Sequence, residues 1–142
     1  MGYLMDTNIV SELRKETRCN PGVTRWLDAT DEDELFLSVL TLGELRMGAL
    51  GLARKGPAGA PHLEAWVNAL HSQYAGKILP VTVEIVEKWA ELSVPDRLPV
   101  VDGLLAATAI VHGHILVTRN TRDVARAGVP LLNPFEEPPP PQ

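Results

Sequence analysis

Tyr3-Leu4-Met5-Asp6-Thr7-Asn8-Ile9-Val10 opens the chain with a short apolar run that gives way, at an acid, to residues able to start a helix. Tyr3 to Met5 read as a strand. Asp6 to Asn8 supply cap chemistry, because their side chains accept hydrogen bonds from the free N–H groups of a first helical turn. The same pattern recurs downstream. β-like runs at 35–38, 78–81, 115–118 and 129–132 are each separated from the next by at least one segment with helical character. Strands that alternate with helices favour a parallel sheet, so the expected class is α/β.

The intervening helices carry their own start and stop signals. Asn20 is a predicted N-cap with Pro21 at the first helical position, ahead of Val23, Trp26 and Leu27. From Thr41 to Leu52 the residues Leu42, Leu45, Ala49 and Leu52 fall at helical spacing, and residues 54–61 then collect the glycines and prolines of a flexible loop. Leu63, Trp66, Val67 and Leu70 define a further apolar face, and Thr82 is placed to cap a helix presenting Ile85, Val86, Trp89 and Leu92. Pro95 and Pro99 interrupt the chain before Asp102, after which small residues predict a closely packed helix over 103–112. Of Trp26, Trp66 and Trp89, at least two are expected in the core. One domain is expected over residues 1–135, with Phe135 docked and a proline-rich disordered tail over 136–142.

With 142 residues and 45% hydrophobic content the chain can bury one sizeable core. Its single cysteine, Cys19, allows neither an internal disulfide nor a thiolate zinc site. His71, His112 and His114 form no metal-ligand pattern. The segment reads as free of a leader peptide or membrane span, so a soluble, cytoplasmic protein is expected. A net charge of -5 argues against nucleic-acid binding by global charge, and any such activity must be local.

Three acids stand where chemistry is expected in such a sheet. Asp6 follows the first strand, at its carboxyl end, where open parallel sheets bind ligands. Glu44 lies in Thr41-Leu42-Gly43-Glu44, and Asp102 follows Val100-Val101 at the head of the small-residue helix. Each has a plain structural reading: Asp6 and Asp102 as N-caps, Glu44 as the reciprocal partner in a capping box. Taken together they lie at helix starts that an α/β topology points toward one edge. Carboxylates so gathered repel and raise one another's pKa unless a cation neutralises them, and oxygen donors suit Mg2+ or Mn2+. Such an ion activates water and stabilises charge on a phosphoryl oxygen, which fits phosphodiester hydrolysis.

Four blocks in order carry a resemblance: Leu4-Met5-Asp6-Thr7-Asn8, Leu42-Gly43-Glu44-Leu45, Asp102-Gly103-Leu104-Leu105-Ala106-Ala107-Thr108-Ala109 and Val117-Thr118-Arg119-Asn120. They resemble the PIN domain, and within it the VapC toxins, over about residues 3–135. Pro130-Leu131-Leu132-Asn133-Pro134-Phe135 is similar to the close of many such chains. The resemblance implies a three-layer α/β/α sandwich, Mg2+- or Mn2+-dependent endoribonuclease activity and inhibition by a VapB-like antitoxin. Homodimerisation and a hetero-oligomer with the antitoxin follow from it too. It places the metal on Asp6, Glu44 and Asp102, with Asp123 carried as the fourth acid because Asn120 stands where some relatives have aspartate. Thr7, Asn8, Thr118 and Asn120 are expected in support. Arg46, Arg119, Arg122 and Arg126 are candidate phosphate contacts, and single-stranded or loop RNA is the expected target. Asp96 is expected to be solvent-exposed.

Two other function classes compete. Aspartyl-phosphate transfer of the haloacid-dehalogenase type would need aspartate where Asn8 stands, and a receiver domain would need lysine where Arg119 stands. A catalytically weak RNA- or antitoxin-binding protein draws its support from Asn120.

Overall fold

The computed structural model describes residues 2–56 and 58–136. Five parallel strands form one sheet: β1 (Tyr3–Met5), β2 (Leu35–Ser38), β3 (Ile78–Leu79), β4 (Ile115–Val117) and β5 (Leu131–Leu132). Their spatial order is β3-β2-β1-β4-β5. Between them run α1 (Thr7–Leu13), α2 (Pro21–Asp28), α3 (Val39–Lys55), α4 (Ala60–Gln73), α5 (Val83–Leu92), α6 (Val100–His112) and the single turn α7 (Thr121–Val124).

Alternation along the strands divides the interior into two layers. Met5, Leu35, Leu37 and Val117 face a core shared with Ile9, Val10, Val23, Leu45 and Val67, which come from α1 to α4. Leu4 and Leu116 face the other way, with Phe36 and Leu131 at their side, against Leu105, Ala106 and Ala109 of α6 and Val124 of α7. The result is the expected α/β/α sandwich. Burying a Leu or Met side chain in such a layer contributes about 1.5–3 kcal/mol. A slip of β1 by one residue would carry Asp6 into the apolar place of Met5, so the register is strongly specified.

The strands are shorter than the sequence suggests. Pro80 lacks the N–H to continue a ladder, and β3 stops at Leu79. β4 stops at Val117, although the Thr118 N–H still donates to Leu132 O at 3.0 Å. Two helix starts also differ from expectation. α3 begins at Val39, capped by Ser38, whose Oγ accepts the Leu40 N–H at 3.0 Å. Thr41 is therefore inside the helix, and the expected capping box with Glu44 is not formed. α6 begins at Val100, with Pro99 in the cap position, so Asp102 lies within the first turn and is not its cap. Asn20 and Thr82 do cap α2 and α5 as expected.

α6 packs on α5 through small residues. A Cβ on Gly103 would come within 3.0 Å of Trp89 Cδ1 and 3.2 Å of Leu98 Cβ. Trp26 and Trp66 pack partly buried against the first core, and Phe135 is docked on it too. The expected disorder of the tail concerns residues 136–142, of which 137–142 lie outside the described residues. No helix among the described residues is long and apolar enough to cross a membrane. Overpacking of a filled contact costs about 1–3 kcal/mol. Gly103→Val should accordingly lower unfolding free energy by about that amount in urea titrations, whereas Gly48→Ala, with open space around it, should be neutral or stabilising.

Candidate active site

The strand order reverses direction at β1, with β2 on one side and β4 on the other. Crevices at such switch points, beyond the carboxyl ends of the strands, are where open α/β sheets bind ligands. Asp6 sits there, immediately after β1, and donates its backbone N–H to Val117 O at 2.9 Å. The ladder between β1 and β4 thus places Asp6 beside Thr118.

Asp6 is 6% exposed, and its carboxylate is met by donors on both sides. Thr7 N–H donates to Oδ1 at 2.6 Å, Thr118 Oγ1 donates to Oδ2 at 2.8 Å, and Asn8 Nδ2 reaches Oδ2 at 3.3 Å. Asp6 is therefore the N-cap of α1 as well as a candidate functional acid; the two readings coexist. Burial raises its pKa, Thr118 and the Thr7 amide oppose this, and the charge of Glu44 raises it further.

The neighbouring polar groups lock into the same network. Asn8 Oδ1 accepts the Arg119 N–H at 3.1 Å, and Thr118 Oγ1 accepts the Asn120 N–H at 3.0 Å. Thr7 donates its hydroxyl to Glu44 Oε1 and stands 3.4 Å from the hydroxyl of buried Thr41. Glu44 is thus oriented by α1 across the interhelical gap, a contact that its false capping-box pattern concealed. Asp102 enters from the first turn of α6. Its carboxyl is raised first by burial and then by the charges of Asp6, Asp123 and Glu44. The four predicted acids therefore act on one another electrostatically, although they come from four separate helices or helix starts.

The donor set suits a hard divalent cation: it is all oxygen, mutually repulsive and partly withdrawn from water. Asp102 and Asp123 accept no side-chain hydrogen bond among the described residues, which leaves their oxygens free for a ligand. Among those residues no three His, Cys, Asp or Glu are closed into a ready chelate.

The arginines divide. Arg119 is exposed at the edge of the network. Arg122 is exposed on α7. Arg46 turns away from the acids to donate to Asn68 Oδ1 at 2.6 Å on α4. Arg126 lies 3.5 Å from the exposed carboxylate of Asp96 and donates to the Arg97 carbonyl. His114 stacks on Phe36, with ring centres 4.4 Å apart, and not on the acids. Two contributors had no local signal of their role. Thr41 carries the signal of a cap, and Glu12 none, yet Glu12 accepts the Asn20 N–H at 2.8 Å and holds α1 to α2.

The chain is similar to known proteins over nearly its whole length. The family model described as PIN domain matches residues 3–129. VapC ribonuclease Y4jK of Sinorhizobium fredii is 32% identical over 142 residues, covering 94% of this chain and 97% of the relative. Toxin FitB of Neisseria gonorrhoeae is 31% identical over 140 residues, covering 94% of this chain and 99% of FitB. Among solved structures, FitAB bound to an IR36 DNA fragment superposes with a TM-score of 0.86 at 27% identity, covering 97% of this chain and 99% of that one. A toxin–antitoxin complex from Klebsiella pneumoniae gives 0.73 at 28% identity, covering 96% of this chain and 100% of that one.

The raised carboxyls set the sign of a stability test. Asp6 and Asp102 bind protons more tightly folded than unfolded, so their contribution is fully present below the ordinary aspartate value of 3.8 and is lost as pH rises through the shifted values. In EDTA, Asp102→Asn should melt above the wild type at neutral pH, by about 2–4 °C. Its melting temperature should also fall less steeply as pH rises above the ordinary aspartate value of 3.8. An unchanged pH profile would contradict the repulsion described.

Proposed function

The chain belongs to the PIN-domain family, and on that premise we propose that it is the endoribonuclease toxin of a toxin–antitoxin pair. Its catalytic acids are Asp6, Glu44, Asp102 and Asp123. The observation that carries this reading is the buried, threonine-bridged Asp6 at the switch point, with Asp102 raised first by burial and then by the charges of the other three acids.

Asp6, Glu44 and Asp102 would hold Mg2+ or Mn2+. When bound, such an ion activates water and offsets charge developing on a phosphoryl oxygen. The chain's own groups do the positioning. Thr118 and the Thr7 amide fix both oxygens of Asp6. The Thr7 hydroxyl holds Glu44 in its orientation, and Asn8 ties the Asp6 loop to the turn at Arg119. Asp102 and Asp123 close the acidic side from α6 and α7. Thr118 and Asn120 hold the turn that carries Arg119, which with Arg122 supplies the cationic rim that the net charge of -5 does not. RNA with unpaired bases fits a crevice of this kind, because its backbone can be drawn across the acids without a duplex to open.

The partner follows from the relatives. FitB has been solved in the FitAB complex on DNA, and a VapB-like antitoxin is the corresponding inhibitor here. A homodimer and a hetero-oligomer with that antitoxin complete the assembly.

Cleavage of a mixed RNA pool by antitoxin-free protein provides the test. Magnesium or manganese should support cutting, EDTA should stop it, and Asp6→Asn purified identically should be slower by about two orders of magnitude or more, the scale lost with a positioned catalytic group. Metal-independent cutting, or cutting that survives in Asp6→Asn, would sink the reading. Binding of metal and RNA without any cutting would favour a non-catalytic RNA-binding role.

A further inference from the structure

The C-terminal segment meets the acidic site from outside the sheet. After β5, Asn133 Oδ1 accepts the Phe135 N–H at 3.0 Å, which folds the chain back, and Pro134 is buried. The Pro134 carbonyl lies so close to α2 that a Cβ on Gly22 would come within 2.2 Å of it. That approach requires glycine in the first turn of α2. The turn is itself fixed: Asn20 Oδ1 accepts from Gly22 N–H at 2.9 Å and Val23 N–H at 3.3 Å. Asn20 N–H donates in turn to Glu12, which Lys15 pairs at 2.9 Å. The segment is therefore pinned against the end of α1 and the start of α2.

Phe135 carries Arg119 on its face, with the guanidinium carbon 4.6 Å from the ring centre. The guanidinium makes no hydrogen bond or ion pair among the described residues and is exposed, so its five N–H donors are open to a ligand. The root of the same residue is tied to the acids through its N–H to Asn8 and from Asn8 to Asp6. Its tip reaches toward Glu12, whose carboxyl is held below the ordinary range chiefly by Lys15, with the Arg119 charge adding to the effect.

An arginine already laid on a rigid aromatic face loses less freedom when it meets a phosphate than one swinging in water. We propose that Phe135 is a positioning residue for RNA binding, its ring holding the Arg119 guanidinium ready for a substrate phosphate beside the acidic site. The inference rests on the ribonuclease reading above.

The test is steady-state cleavage of one oligoribonucleotide substrate, with magnesium, by wild type, Phe135→Leu, Phe135→Met, Phe135→Tyr, Arg119→Gln and the Phe135→Leu/Arg119→Gln pair. Melting temperatures are recorded alongside, and Phe135→Met substitutes for Phe135→Leu should the latter be unfolded under the assay. Loss of the ring should raise KM about 3-fold, the scale of an exposed cation–π contact, with kcat unchanged. Phe135→Tyr should restore KM, and the pair should be no worse than Arg119→Gln alone. Both Phe135→Leu and Arg119→Gln should flatten the dependence of log KM on log salt, by up to about 0.7 for one phosphate contact on a single strand. A Phe135→Leu protein with unchanged KM and salt slope overturns the platform, as does a double variant whose losses multiply. A wild type that cuts no RNA overturns the ribonuclease reading and the platform with it.

Discussion

A carboxylate withdrawn from water is tolerated only where donors replace the lost hydration, and the arrangement around Asp6 is organised by that requirement. Its two oxygens take the Thr7 amide, the Thr118 hydroxyl and the Asn8 amide group. Each of those donors is then committed to a place. Thr7 begins α1 and turns its own hydroxyl on Glu44. Thr118 ends β4 and holds the next turn through the Asn120 N–H. Asn8 fixes the backbone of Arg119. One buried charge at the centre of the sheet thereby sets the positions of groups on α1, α3 and the loop after β4.

The second constraint is that four like charges cannot be compensated in this way. Among the described residues, Asp6 and Glu44 have side-chain donors, while Asp102 and Asp123 stand without them. Burial first, and the charges of neighbouring acids after it, raise the carboxyls of Asp6 and Asp102. Such a site costs stability in the folded chain, and binding of a cation would offset that cost. On the proposed reading, exposed Arg119 and Arg122 would supply beside the site the positive charge that the acidic chain as a whole does not.

Much of this was legible in the order of residues. The strand that ends before Asp6, the α/β alternation, the caps at Asn20 and Thr82 and the candidate acids at 6, 44 and 102 carry local or periodic signals, while Asp123 comes from the family resemblance alone. What local patterns misassigned was role. Thr41-Leu42-Gly43-Glu44 reads as a capping box, but Ser38 caps the helix, because it is the last residue of a strand that turns directly into α3. Asp102 reads as a cap, but Pro99 comes first. Contacts spanning the chain left no trace in any window: Thr118 with Asp6, Glu12 with Asn20, and Phe135 beneath Arg119 exist only once β1, β4 and the last segment are side by side. Arg46 was the converse case, a charge near an acid in sequence whose helical position turns it toward Asn68.

The central claim is that Asp6, Glu44, Asp102 and Asp123 form one electrostatically coupled site built for a divalent cation. Calorimetric titration of the antitoxin-free protein with Mn2+ tests it most directly. Wild type should show saturable binding that Asp102→Asn abolishes or weakens by at least about tenfold, the scale of about 1.4 kcal/mol. Asp96→Asn, at an exposed carboxylate paired with Arg126, should leave it unchanged. Binding that survives Asp102→Asn undiminished, or falls equally in Asp96→Asn, would contradict the account.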